Sequence, residues 1–88
     1  MKKITIDTNE HPTMTEIHHR LAGELNFPSY YGNNFDALYD CLTELSEETE
    51  IRLILRETDA QKTFQTLKRV LTDAAKAQPN LVVIIENR

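Results

Sequence analysis

Asp36, Asp40 and Glu44 follow one another at four-residue spacing in "FDALYDCLTELSEE", residues 35 to 48. Carboxylates so placed can act as an acid/base pair, hold a divalent metal or recognise a cation. The surroundings decide among these. Between Leu21 and Ile51 there are seven acids (Glu24, Asp36, Asp40, Glu44, Glu47, Glu48 and Glu50) and no Lys or Arg, whereas the rest of the chain has seven acids against ten bases. A phosphate-processing enzyme needs bases or a Gly-rich phosphate loop near its carboxylates, and both are missing, which argues against a ribonuclease or metal-dependent hydrolase. Such a field repels nucleic acid and attracts basic proteins, so the expected partner is a basic protein rather than RNA or DNA.

Other reactive residues add little chemistry. His18 and His19 are adjacent, so a helix points them about 100° apart and they cannot chelate one metal together. His18 flanks an apolar face and is expected at the edge of the core; His11 falls in a turn. Cys41 is the single cysteine. It can form no internal disulfide, has no zinc-ligand partners at suitable spacing, and is expected to be a buried, inert thiol. No metal or cofactor is implied.

The 88 residues allow one domain, 1–88, with a single modest core. Hydrophobic residues make up 40% and charged residues 27% of the chain, with two Gly and three Pro, a composition that fits a compact fold. No apolar run reaches the ~18 residues that span a bilayer, and "MKKITIDT" lacks the apolar stretch of a secretory signal. The expected location is the cytoplasm.

Alternation around Ile4 and Ile6 predicts a strand over 2–7. Thr13 and Glu16 form a capping box, and Met14, Ile17, Leu21 and Leu25 mark a helix over 14–26. "NFPSYYGNN" is a loop, with Asn33 or Asn34 as N-cap of a second helix from Phe35 to about Leu45. "IRLILR", 51–56, reads as a buried strand. Thr58 and Gln61 offer a further capping box before a long helix that ends near Gln78, and "LVVIIE" is a strand of the kind found inside a parallel sheet. Strands joined through helices favour parallel pairing, so the fold class is α/β: a small three-stranded parallel sheet with packed helices.

On the second helix, Asp36, Asp40, Thr43, Glu44 and Glu47 share the face opposite Leu38, Leu42 and Leu45, with Tyr39 at the border. Like charges four residues apart cost a helix roughly 0.2–0.5 kcal/mol, and Asp40, beyond the first turn, has no helix-dipole compensation. A local conflict of this kind marks a functional position. Tyr30 and Tyr31 beside the stripe supply rigid aromatic contact area, with one of them expected to pack inward.

The segment "LNFPSYYGNNFDALYDCLT", residues 25 to 43, closely resembles the centre of the barstar family of ribonuclease inhibitors. The "MKKI" strand, the helix with His18 and the final "AKA" helix and strand fit the same order. The resemblance implies a barstar-like α/β fold and an intracellular, non-enzymatic inhibitor or immunity protein. Its second helix and preceding loop would enter the active site of a basic ribonuclease of the secreted, extracellular type, with acids standing in for RNA phosphates. It implies that Asp40 enters the phosphate site, Asp36 pairs with a guanidinium, Tyr30 packs on the catalytic histidine, and Gly32, Asn34 and Thr43 fit the backbone closely. Tyr39, Glu44 and Asp73 complete the expected partner-binding set. The chain departs from the family pattern in three ways. Tyr39 replaces a Trp; Asp73 corresponds loosely to acids near the end of the last long helix, with Gln78 where a Glu is expected; and the region after the second strand is shorter, as if lacking one short helix. An acidic adaptor, or an immunity protein for a toxin that is not a ribonuclease, shares the same sequence signature.

Overall fold

The computed structural model describes residues 1–10, 13–56 and 62–87. The elements are β1 (Lys2–Asp7), α1 (Met14–Leu25), α2 (Phe35–Thr43), β2 (Thr49–Leu55), α3 (Lys62–Ala77) and β3 (Leu81–Asn87). All strand pairs are parallel and the spatial order is β1-β2-β3. This is the α/β architecture expected. Thr58 and Gln61, His11, and most of the shortened connection after β2 lie outside the described residues.

Laying the strands down in sequence order sends each right-handed crossover the same way, which puts the helices on one face of the sheet. Burial agrees with that geometry. Ile4 and Ile6 of β1, Ile51, Leu53 and Leu55 of β2 and Leu81 of β3 join Ile17, Leu21, Leu38, Leu42, Phe64, Leu67 and Leu71 from the three helices in one core. The register carries a row from Ile4 through Ile51 to Val83, and the next from Ile6 through Leu53 to Ile85. Each fully buried Leu or Ile contributes about 1.5–3 kcal/mol relative to an exposed one.

Caps set the helix boundaries. The Thr13 hydroxyl accepts the Glu16 N–H at 3.2 Å and starts α1. Asn26 ends it in the left-handed region at φ 55°, a conformation that Asn tolerates, and both its N–H and that of Phe27 return to the Ala22 carbonyl. Helix α2 stops at Thr43, two residues before the expected end. There the N–H groups of Glu44 and Leu45 turn back to the carbonyls of Cys41 and Leu42 in a tightened final turn.

Two expectations about strands need correction. Strand β2 begins at Thr49 rather than Ile51, because Thr49 already pairs with Lys2 and Leu81. The apolar run "LVVIIE" is an edge strand and β2 is the central one. Leu81 faces the core at 4% exposure while Val82, on the open face, is 41% exposed. On that open face Arg52 and Glu86 form an ion pair across β2 and β3. Among the described residues no helix is long and apolar enough to cross a membrane.

Candidate partner-binding site

The loop before α2 is built around Tyr31. Its ring packs 5.0 Å from Phe27 and 5.6 Å from His18, centroid to centroid, and its hydroxyl is hydrogen-bonded to Nδ1 of His18. A turn closed by the Tyr31 N–H on the Pro28 carbonyl, at 2.9 Å, holds the segment in place. With Tyr31 committed inward, Tyr30 is turned out to solvent and is 85% exposed. The inward anchor is therefore the second tyrosine, and the first is the one that presents a ring.

His18 is 4% exposed and also packs 5.9 Å from Phe35, as expected of a core-edge histidine. Burial, and secondarily His19, hold its imidazole below the usual range, while burial, and then Cys41, push the Tyr31 phenol well up. A depressed folded pKa means that the unfolded chain takes the proton more readily. The stability involved is intact above the ordinary value of 6.5 and is lost as pH falls below it toward the folded value. The melting temperature is expected to fall between about pH 7.5 and pH 5.5, and His18→Gln is expected to flatten that slope. Equal slopes in the two proteins would remove His18 from the account.

Asn34 starts α2: its Oδ1 accepts the Ala37 N–H at 2.8 Å, and its Nδ2 lies 3.4 Å from the Gly32 carbonyl. A Cβ on Gly32 would sit 2.8 Å from that Nδ2, so a larger residue there would force the Asn34 amide to shift. Both residues thus have a structural task in the free protein. Leu38 and Leu42 are fully buried under α2, which fixes the opposite face toward solvent.

On that face Asp36, Asp40 and Glu44 are exposed, Tyr39 is 37% exposed and Thr43 is half-buried. Asp36, Asp40, Glu44, Glu47 and Glu48 have no ion-pair partner among the described residues; the pairs there are Arg20–Glu24 and Arg52–Glu86. The Asp40 carboxylate makes no hydrogen bond to the 28–34 loop, and its residue is engaged through the main-chain carbonyl, which accepts the Thr43 hydroxyl at 3.0 Å. Asp36 stands in the first turn of α2, where the helix dipole favours a carboxylate; the other four have no such role and no ion pair among the described residues.

Loop and helix enclose a hollow of about 220 Å³ lined by Pro28, Tyr30, Tyr31, Gly32, Ala37, Asp40, Cys41 and Glu44. The fold therefore brings Tyr30, Gly32, Asp40 and Glu44 to one place. Asp36, Asn34, Tyr39 and Thr43 lie on the same helix or its cap but outside the hollow. Asp73 is exposed on α3, with no hydrogen bond to this surface among the described residues. A second hollow, about 240 Å³, continues past Pro28, Cys41 and Glu44 to Leu45, Ser46 and Glu47.

Cys41 differs from expectation in being half-buried and in lining both hollows. Burial first, then Glu44 and Asp40, push its thiol up, which disfavours the nucleophilic thiolate. Pro28, Ala37 and Cys41 join the expected residues in lining the hollow, and positions 37 and 41 flank 40 and 44 on a helical wheel. Among the described residues no group of three or more His, Cys, Asp or Glu is placed to hold a metal.

Comparison with known proteins bears on what this surface is for. The family model described as Barstar (barnase inhibitor) matches residues 1–86. A Bacillus subtilis (strain 168) protein named "Putative ribonuclease inhibitor YrdF" is 39% identical over 64 residues, covering 73% of this chain and 69% of the relative. The match spans the sheet, the capped helices and the loop that presents Tyr30, and the chain belongs to the barstar family.

Proposed function

We propose that the chain is a proteinaceous ribonuclease inhibitor, with no catalysis of its own, that works in the cytoplasm. It blocks the nuclease by seating the 28–34 loop and the exposed face of α2 in the active-site cleft. The observation that carries this is a set of unpaired carboxylates, Asp40 and Glu44, and an outward Tyr30 around one hollow, on a frame pinned by Tyr31, His18 and the Asn34 cap. A ribonuclease cleft is lined with cations that bind phosphate. Asp40 meets them where a phosphate would sit, Asp36 pairs with a guanidinium at the rim, and Tyr30 packs on the catalytic histidine. Gly32, Asn34 and Thr43 allow close approach, while Tyr39, Glu44 and Asp73 extend the contact.

Preorganisation favours this mechanism over a loose acidic patch. The loop and helix are held by contacts that the partner does not have to supply, so little ordering entropy is lost on binding. The charge has its own kinetic signature. Interactions between exposed charges are screened over ~10 Å at 0.1 M salt and ~3 Å at 1 M, so long-range attraction fades first as salt rises. The association rate is expected to drop roughly tenfold or more from low to high salt while the dissociation rate changes much less. Stopped-flow association rates that do not respond to salt would remove steering.

The function itself is tested by titrating the purified chain into a basic ribonuclease with a fluorogenic RNA substrate. Stoichiometric loss of cleavage is the expected result. Binding without inhibition would instead identify an acidic adaptor, and RNA cleavage by the chain alone, abolished by Asp36→Ala, would identify an enzyme.

A further inference from the structure

Helices α1 and α2 end against the same hollow. It is the second one, of about 240 Å³, whose wall runs from Leu25 and the Asn26 cap of α1 to the Glu44 cap of α2 and on to Glu47. The carbonyl end of a helix carries a partial negative charge, which a cation in the last turn commonly meets. Neither helix has a basic residue there. Glu44 and Glu47 add two full charges to the same wall and have no ion-pair partner among the described residues, where the pairs are Arg20–Glu24 and Arg52–Glu86. Lys2 stands beside this corner, with its N–H on the Glu48 carbonyl at 3.0 Å, yet its ammonium goes to the Glu24 carbonyl at 2.6 Å. The corner already holds one cation at the end of α1 and leaves the carboxylates of the hollow to another.

The rest of the wall is apolar. Leu25 is buried, Phe27 and Leu45 are half-buried against the core, and Pro28 lines this hollow as well as the first. A small bare cation has no use for such a lining. A cation on a long apolar stem does.

We propose that this hollow is a recognition site for an arginine side chain of the protein partner, which lays its methylene stem on Leu25, Phe27, Pro28 and Leu45 and sends its guanidinium to Glu44 and Glu47. The inference rests on the nuclease-facing surface proposed above, which the hollow continues across Pro28, Cys41 and Glu44. Asp40 meets the cations of the cleft, and Glu47 meets one arginine at its rim. The wall favours guanidinium over ammonium, because guanidinium is the more weakly hydrated, stacks on aromatic side chains such as Phe27, and can fork between two carboxylates. Arginine is also among the residues that anchor interfaces by filling pockets. Glu47, beyond the end of α2, thereby becomes a specificity-determining residue. A nuclease without an arginine at that place would cover two carboxylates and leave them unpaired.

The test titrates N-acetyl-L-arginine amide and N-acetyl-L-lysine amide separately into the isotope-labelled chain at about 0.15 M salt, where exposed charges are screened beyond ~8 Å. Wild type is compared with Glu47→Gln and with Glu48→Gln, which removes the same charge one residue further on, outside the hollow. Saturable amide shifts confined to 25–28 and 41–47 are expected, with arginine amide bound about threefold or more tighter than lysine amide. Glu47→Gln is expected to weaken arginine amide about fivefold, and Glu48→Gln less than about twofold. Shifts that do not saturate or that spread along 36–40, equal affinity for the two amides, or equal losses in the two variants would overturn the arginine site and leave a diffuse acidic surface. The same proteins are then compared against barnase, the ribonuclease named in the family description. Dissociation about fivefold faster than wild type is expected for Glu47→Gln alone. Intact inhibition with an unchanged rate in Glu47→Gln would overturn the use of the hollow by the nuclease and leave the inhibitor reading standing. No inhibition by wild type would remove the nuclease-facing surface itself, and the assignment of the arginine to a nuclease with it, whatever the amides do.

Discussion

Asp40→Ala is expected to remove about 2–5 kcal/mol of binding free energy for the ribonuclease and to leave the free protein as stable as before or slightly more so. The two halves have different causes. In the proposed complex the carboxylate would make charge-assisted hydrogen bonds with cations that the inhibitor itself seals from water, and truncation would leave those cations desolvated and unpaired. Barnase with barstar is the reference pair for such couplings, so the magnitude belongs to the family and the direction alone follows from this structure. In the free chain Asp40 is exposed, its carboxylate has no ion-pair partner among the described residues, and Asp36 and Glu44 stand four residues to either side. Alanine removes that repulsion, worth roughly 0.2–0.5 kcal/mol per pair, and is the better helix former. Thermal melts of both proteins alone, then calorimetric titration of each into the nuclease, separate the two effects. A destabilised free variant with near-normal affinity would displace Asp40 from the centre of the mechanism.

Two residues earlier on the same helix the balance reverses. Leu38 is fully buried beneath α2, about 200° around the helix from Asp40. Leu38→Ala is expected to cost about 2–5 kcal/mol of stability, the sum of lost transfer free energy and the cavity left behind. A domain of this size has about 4–13 kcal/mol in all, so this one change removes a large share of it. At roughly 4–8 °C per kcal/mol, the melting temperature is expected to drop by about 10 °C or more. Molecules that remain folded still present Tyr30, Asp40 and Glu44. Nuclease affinity, corrected for the folded fraction, is therefore expected to fall far less than in Asp40→Ala. Urea denaturation gives the stability loss directly; a loss below about 1 kcal/mol would mean that α2 resettles into the vacated space.

What the sequence determined by itself is what depends on neighbours within a few residues. The Thr13 cap, an asparagine cap at 33 or 34 that the structure assigns to Asn34, the apolar spacing of α1 and α3 and the opposition of Leu38 and Leu42 to Asp36 and Asp40 are local consequences of side-chain size, polarity and helical period. Strand, helix and crossover order then restricted the fold to a parallel sheet, and the base-free stretch from 21 to 51 is what motivates the proposal of a basic partner. Tertiary structure decided whatever needed a distant partner. Both tyrosines look alike in sequence, and the choice between them came from Phe27 and His18. Helix α2 stops at Thr43 although its apolar pattern runs on to Leu45, in a tightened turn where Gln78, 35 residues away, meets the Thr43 carbonyl. The apolar run of β3 looked central, but two crossovers of one hand moved β2 to the middle and left Val82 exposed. The hollow joining Tyr30 to Asp40 and Glu44 is likewise a tertiary feature, because its walls come from a loop and a helix whose relative placement depends on the core they share.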